Sequence, residues 1–446
     1  MKFIPLPFAV LGCSLFLFTI EANAASQTQI DRGEYLARIG DCTGCHTTED
    51  GQSFAGGLGI DSPFGTIYSS NITPDKQTGI GNYSRDDFAA ALREGSLPDG
   101  THLYPAMPYT AYAKVTDEDI DALYAYFMEG VEPVDNEPEK TDLSFPFNQR
   151  WGIGLWDWMF ATADTYEPNP DQSEQYNRGA YLVEGLGHCG SCHTPRGLFF
   201  QQKAYGAGDD HFLTGQTLGV WYAPNLRGGG EGDQGLQGWS EKDIANYLAT
   251  GRNVHSGVVG EMISVVQHSL SHLKDEDLTS IAVYLKSLPR STEAPSDDEA
   301  PSVQDKTDEN KDTSATLASA KVDIDSGERL YLDNCNACHF TNGKGASWVF
   351  PALKGNSLVV AENPDGLLHV ILAGAQMPST PKAPAKLAMP GFGWRLSDKE
   401  VADLATFVRS GWGNDGDSVT ADQVAEVRKG IPEKVLRDSA PNMVKE

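Results

Sequence analysis

Apolar positions along the chain recur at helical spacing in three matched pairs of segments. The first member of each pair is short and carries an aromatic on its apolar face: Arg32-Gly33-Glu34-Tyr35-Leu36, Arg178-Gly179-Ala180-Tyr181-Leu182 and Gly327-Glu328-Arg329-Leu330-Tyr331-Leu332. The second member follows an acidic start. Thr116-Asp117-Glu118-Asp119 opens the stripe from Ile120 to Phe127, and Ser397-Asp398-Lys399-Glu400 opens the stripe from Val401 to Val408. Asp275-Glu276-Asp277 opens the middle one, from Leu278 to Leu285. The spacing predicts amphipathic helices. The Thr116 and Ser397 starts, with an acid three residues on, are capping-box-like. The pattern therefore predicts a mainly α chain of three comparable units.

Between and beyond these units the pattern changes. Residues 136–172 form an aromatic-rich strap with Phe145, Phe147, Trp151, Trp156, Trp158 and Phe160. So much aromatic surface is expected to pack against the neighbouring units. Residues 291–322 contain a run rich in Ser, Asp, Glu and Pro, a composition that cannot bury enough to order itself, and read as a flexible acidic linker. In the polar tail, 416–446, Val419, Val424, Val427, Ile431 and Val435 give a modest helical stripe, expected to be a frayed surface helix. At the N-terminus Lys2, the apolar run from Phe8 to Ile20 and Ala22-Asn23-Ala24 form a secretory signal, 1–24, cleaved near Ala24. No other stretch approaches the ~20 apolar residues that span a bilayer.

Each lead-in ends in the same five-residue motif. Cys42-Thr43-Gly44-Cys45-His46, Cys189-Gly190-Ser191-Cys192-His193 and Cys335-Asn336-Ala337-Cys338-His339 are Cys-x-x-Cys-His, the attachment pattern of a c-type haem. Two thiols at this spacing form thioethers with one porphyrin, and the next histidine reaches the iron. A thioredoxin-like dithiol needs a βαβ context, and a zinc site needs a second ligand pair nearby. Neither surrounds these motifs. Six of the seven cysteines are thereby used, and the seventh, Cys13, lies in the signal. Three haems covalently bound to one chain are expected, with Cys42, Cys45, Cys189, Cys192, Cys335 and Cys338 as attachment points and His46, His193 and His339 as proximal ligands.

A thioether as the sixth ligand raises an iron's potential and closes it to substrate. Met107 stands 12 residues before Asp119 and Met389 stands 11 before Glu400, and both precede a proline. Met262 stands 15 before Asp277 without one. Met377 comes too early, 23 residues before Glu400, and Met128 lies on a predicted helix. His268 and His272 leave a bis-histidine centre open for the middle unit. His188 adjoins Cys189 and stands close enough in sequence to affect the second haem's surroundings.

The formal charge is −28, and removing Lys2 and Glu21 with the signal leaves it unchanged. Such acidity argues against nucleic acid and against charge-driven binding to anionic lipid; it favours a basic patch on a protein partner.

Several further stretches carry a specific likeness. They are Phe64-Gly65-Thr66-Ile67-Tyr68, Asn71-Ile72-Thr73-Pro74-Asp75 and Leu103-Tyr104-Pro105-Ala106-Met107-Pro108-Tyr109 in the first unit. His193-Thr194-Pro195-Arg196-Gly197 and Ala223-Pro224-Asn225-Leu226 belong to the second, Met389-Pro390-Gly391-Phe392 and Trp412-Gly413-Asn414 to the third. With these, the chain resembles the triple-haem cytochrome c subunits of bacterial membrane-bound alcohol and gluconate dehydrogenase complexes. The motif steps and helix pairs are those of three tandem class I cytochrome c-type domains joined by linkers, expected at 26–135, 173–290 and 323–415. The resemblance implies Met107, Met262 and Met389 as axial ligands, in line with the spacing. The implied role is electron transfer from a large dehydrogenase subunit, with PQQ or flavin, to ubiquinone. A small third subunit is a further candidate partner, and the implied place is the periplasmic side of the cytoplasmic membrane, held peripherally. The chain would not be an enzyme on its own. Two other readings compete: a free-standing carrier feeding a terminal oxidase, and a haem peroxidase or reductase with one open iron.

Overall fold

Three helix pairs cross in the same way, each through a glycine with no room for a side chain. The computed structural model describes residues 25–161, 164–228, 235–291 and 313–438. The signal, most of the acidic linker and the last eight residues therefore lie outside the described residues. The helices that matter below are α1 (Gln27–Ile39), α2 (Asp117–Ala125), α3 (Trp151–Phe160), α4 (Glu174–Tyr181), α5 (Asp275–Ser287), α6 (Ser326–Asn334), α7 (Asp398–Ser410) and α8 (Ala421–Lys429).

Helix α1 crosses α2, α4 crosses α5, and α6 crosses α7. At the first crossing a β-carbon on Gly33 would lie 2.0 Å from the Ala122 carbonyl oxygen and 2.6 Å from Tyr126 Cβ. On Gly179 it would lie 2.0 Å from the Ser280 oxygen and 2.7 Å from Tyr284 Cβ; on Gly327, 2.4 Å from the Asp403 oxygen and 2.7 Å from Phe407 Cβ. Glycine lets the backbones touch there. An aromatic four residues beyond each contacted carbonyl then packs over the crossing.

Among the described residues, seven short strands make three small antiparallel sheets. β1 (Gly59–Ser62), β2 (Gly65–Tyr68) and β3 (Asp142–Leu143) pair in that order, so the start of the strap is stitched to the first unit, with Gly65 opposite Leu143. β4 (Gln216–Leu218) pairs with β5 (Trp221–Ala223), and β6 (Gly374–Gln376) with β7 (Ala388–Pro390).

The first two units share one continuous core. Leu36, Ile39, Leu123 and Phe127 join Leu182, Leu186, Leu278 and Leu285 in a single buried cluster. The third has its own, built on Tyr331, Leu368, Val401, Leu404 and Trp412. It rests on the second through specific contacts: Trp348 N donates to the Asn253 oxygen at 3.3 Å, and Arg252 Nη1 to the Ala385 oxygen at 3.3 Å. Trp221 packs on His369, and Lys382 pairs with Asp275.

A pseudo-twofold polar device locks the first two units together. In α2 the buried Asp119 takes Arg32 Nε at 2.9 Å and the Tyr181 hydroxyl at 2.6 Å. In α5 the buried Asp277 takes Arg178 Nε at 2.7 Å and the Tyr35 hydroxyl at 2.6 Å. Each tyrosine comes from the other unit. Its oxygen also accepts the backbone N–H just before the helix, Thr116 N for Tyr181 (3.5 Å) and Lys274 N for Tyr35 (3.0 Å). The expected capping box at Thr116 is therefore only half made. Its hydroxyl accepts from Asp119 N, while the carboxylate serves the interface. In α7 the box is complete: Glu400 returns to Ser397 N at 2.8 Å.

One expectation needs revision. The tail stripe is not frayed, because Val419, Val424, Val427 and Ile431 are buried in the third core. From α8, Arg428 reaches Asp398 Oδ1 at 2.6 Å and the Leu396 oxygen at 2.8 Å, covering the start of α7. The periodic valines pack on α7 and on the helix Asp365–Ala373. The strap packs on both neighbouring units as expected, Trp156 meeting Tyr109 of the first and the Phe199 oxygen of the second, but its helix does so on one side only. Ile153 is buried, whereas Trp151 is 75% and Trp158 81% exposed.

Candidate haem-attachment sites

Each Cys-x-x-Cys-His forms a single helical turn, at Cys42–His46, Gly190–His193 and Asn336–His339. Helical geometry puts residues three and four apart on one face. Both sulfurs and the imidazole of each motif therefore share one side of the turn. The backbone closes it directly: His193 N donates to the Cys189 oxygen, and His339 N to the Cys335 oxygen, both at 3.0 Å. All six thiols are free.

The three imidazoles are held alike. His46 Nδ1 lies 2.7 Å from the Ser70 oxygen, His193 Nδ1 2.8 Å from the Pro224 oxygen, and His339 Nδ1 2.9 Å from the Pro351 oxygen. A carbonyl only accepts, so each Nδ1 carries the proton and each Nε2 keeps its lone pair. Burial also holds all three imidazoles below their ordinary pKa, against the opposing effect of the carbonyl, and so favours the neutral, ligating form. A metal-ligating histidine is oriented and made more basic by this kind of partner.

The carbonyl partners were not identified from sequence, yet Pro224 sits in a quoted stretch and Ser70 immediately precedes another. In Ser70-Asn71-Ile72-Thr73, the Asn71 side chain accepts Thr73 N at 2.9 Å and donates to the Val134 oxygen at 2.7 Å. In Pro224-Asn225-Leu226-Arg227, Asn225 accepts Arg227 N at 2.9 Å. An asparagine just after the carbonyl residue folds the loop into an Asx turn and fixes where that oxygen points. This is the signal that could have found them.

Four of the thiols, Cys42, Cys45, Cys189 and Cys335, are tuned away from redox or thiolate-metal chemistry. Burial, the main cause, pushes Cys42, Cys189 and Cys335 up to about 12 and Cys45 up to about 11. A redox dithiol or thiolate metal ligand needs the opposite shift. Among the described residues no group of three or more His, Cys, Asp and Glu could hold a bare metal ion.

Met107 lies in the turn after Tyr104, and Met262 is the first residue of the helix Met262–His268; both pack against the shared core. Met389 lies in β7 opposite Ala375 of β6. The competitors are otherwise engaged. Met377 Sδ lies 4.0 Å from Arg252 Nη1, on the face toward the second unit. Met128 packs into the core from the π-turn Tyr126–Gly130. His272 is exposed with Nε2 3.1 Å from the Gln267 oxygen, and His268 Nδ1 lies 3.5 Å from Ser264 Oγ.

The first two motifs are linked through one tyrosine. The Tyr112 hydroxyl donates to the Gly40 oxygen at 2.8 Å, two residues before Cys42, and its ring packs edge-on to His188, the neighbour of Cys189. The helix that begins at Met262 rests on the Cys42–His46 turn.

Comparison with known proteins agrees with this chemistry. The family model for cytochrome c matches residues 30–130 and 324–412. The chain is 44% identical over 426 residues to the gluconate 2-dehydrogenase cytochrome c subunit of Pantoea cypripedii, covering 94% of each. It is 45% identical over 413 residues to the cytochrome c subunit of the quinone alcohol dehydrogenase of Gluconobacter oxydans, covering 91% of this chain and 84% of that one. Identity to the fructose dehydrogenase cytochrome subunit of Gluconobacter japonicus is 40%, with the same coverage.

Proposed function

We infer that this chain, which belongs to the family of cytochrome c subunits of gluconate, alcohol and fructose dehydrogenase complexes, holds three c-type haems and relays electrons from a large dehydrogenase subunit to ubiquinone. It is an electron-transfer subunit and not the catalyst of the substrate's oxidation. When bound, each haem supplies an iron that takes up and gives back one electron. The protein's residues do the rest. Cys42 and Cys45, Cys189 and Cys192, and Cys335 and Cys338 anchor the three porphyrins. His46, His193 and His339 present Nε2 to iron, each ring fixed by its Nδ1–H. Met107, Met262 and Met389 would supply thioether ligands to the irons. We place the three class I cytochrome c-type domains at 26–135, 173–290 and 323–415, the strap at 136–172 and the linker at 291–322.

The observation that carries this reading is the threefold repeat of one arrangement: a Cys-x-x-Cys turn, the following imidazole, and a carbonyl 2.7–2.9 Å from its Nδ1. The partner would use PQQ or flavin, with a small third subunit completing the complex. Export by residues 1–24 would place the chain on the periplasmic side of the membrane, held peripherally; among the described residues no helix is long and apolar enough to cross it. The test is a reconstitution. Purified holoprotein mixed with its dehydrogenase, the dehydrogenase's substrate and a soluble ubiquinone analogue should reduce the quinone. If quinone is reduced equally without this chain, or the chain is reduced but never reoxidised by quinone, the relay assignment fails.

A further inference from the structure

One face of the molecule is apolar and exposed. Helix α3 turns Trp151, Leu155 and Trp158 outward, four and then three residues apart, so the three share a single stripe. Beside it the loop after the second haem motif exposes Leu198 (94%) and Phe199, and Phe145 stands out from the strand end at 78%. These elements form one surface. The Trp156 indole donates to the Phe199 oxygen at 2.8 Å, and Phe64 stacks on Phe147 and meets Phe200 edge-on.

The one acid of this helix points inward. Asp157 accepts the Tyr109 hydroxyl at 2.6 Å and pairs with His102 at 2.7 Å. It is the one acid within residues 143–160 and 195–203, stretches that also hold Arg150, Arg196 and Lys203. In a chain of formal charge −28, stretches with three bases and one inward-turned acid are a local reversal.

We propose that this face inserts into the interface of an anionic lipid bilayer and is the chain's membrane attachment. Tryptophan is the residue enriched at the headgroup level, and a helix lying in the interface buries Trp, Phe and Leu while basic residues meet the headgroups. A stripe with no outward acceptor suits hydrocarbon. Contiguous exposed apolar surface of this kind on a soluble domain marks an interaction site.

The position adds meaning. Trp156 packs edge-on to Tyr109, two residues past Met107, and Arg196 Nη2 donates to the Ser191 oxygen inside the second motif. A bilayer against this face would lie beside the first two haem sites. The inference deepens the peripheral attachment proposed above, but it is tested without dehydrogenase or quinone, so the electron-relay reading stands or falls separately.

The test is co-sedimentation of the full-length holoprotein with vesicles of phosphatidylethanolamine and phosphatidylglycerol. The wild type should partition to the vesicles. Trp151→Ser/Leu155→Ser/Trp158→Ser should lose at least about tenfold in partitioning, the effect of removing even one fully buried apolar side chain. Its visible haem spectrum should be unchanged. Leu198→Ser/Phe199→Ser, on a separate loop, should weaken partitioning independently if the helix variant does not fold. Trp394→Ser, an exposed indole elsewhere, should not. Wild type that stays in the supernatant, or helix and loop variants that bind as wild type does, would overturn the proposal. So would variants that keep vesicle binding and lose only capture by the dehydrogenase, which would make the face a protein interface.

Discussion

The Tyr35 hydroxyl donates to Asp277 across 242 residues of sequence, at 2.6 Å, and accepts the backbone N–H of Lys274 that a capping box would otherwise use. Tyr181 does the same to Asp119 and Thr116. Each of the first two units thus finishes the helix cap of the other. The third unit cannot join the exchange: Ser326 stands where the others have arginine, and Glu400 is spent on Ser397.

Removing both hydroxyls, Tyr35→Phe with Tyr181→Phe, leaves two buried carboxylates short of a donor. Each lost hydrogen bond to a charged group costs about 1.5–3 kcal/mol. Denaturant unfolding of the holoprotein should show the transition of the first two units moving down. The third unit's transition should stay in place.

One of these carboxylates, Asp277, sets an acid limit. Burial opposes ionisation of Asp277, but hydrogen bonds from Arg178 and Tyr35 and the Arg178 charge outweigh it and hold its pKa below the ordinary carboxylate range. A folded-state pKa below the unfolded one contributes stability above the unfolded value, and that contribution is lost as pH falls through the folded one. Stability should therefore drop below about pH 4. Asp277→Asn should be less stable at neutral pH and flatten that part of the profile. An unaltered acid profile in the variant would exclude Asp277 from the device.

Gly179→Ala tests the helix crossing, since the added carbon would lie 2.0 Å from the Ser280 oxygen. Overpacking of this kind costs about 1–3 kcal/mol. Calorimetry should show the lowered stability, and Gly33→Ala should behave alike at the equivalent crossing. Gly208→Ala, with open space around the position, serves as the control.

Met262→Ala should turn the second haem alone high-spin and leave the other two unchanged by magnetic circular dichroism. His268→Ala and His272→Ala should leave all three low-spin. The reverse pattern would give the middle iron a bis-histidine pair.

What could be read from sequence was local. The haem motifs, the glycine-bearing lead-ins and the closing helices each occupy a few consecutive residues, and their chemistry is written at fixed short spacing. What could not be read depends on distance along the chain. Nothing near Tyr35 announces Asp277, and the partners of His46, His193 and His339 are backbone carbonyls that no side chain names. The strap shows the limit most clearly. Its aromatics signal burial, but only the alternation seen in α3 tells that Ile153 faces in while Trp151 and Trp158 face out. The tail failed for the opposite reason: its valines were sparse, yet α7 and the helix Asp365–Ala373 offered them a site.

The central claim is three closed haems on one chain. Quantify covalent haem per polypeptide in the purified full-length protein by pyridine haemochrome with intact-mass measurement, and record the spin state on reduction. The account predicts three haems per chain, all six-coordinate and low-spin. Fewer than three, or a ligand-open high-spin fraction in the intact protein, would contradict it.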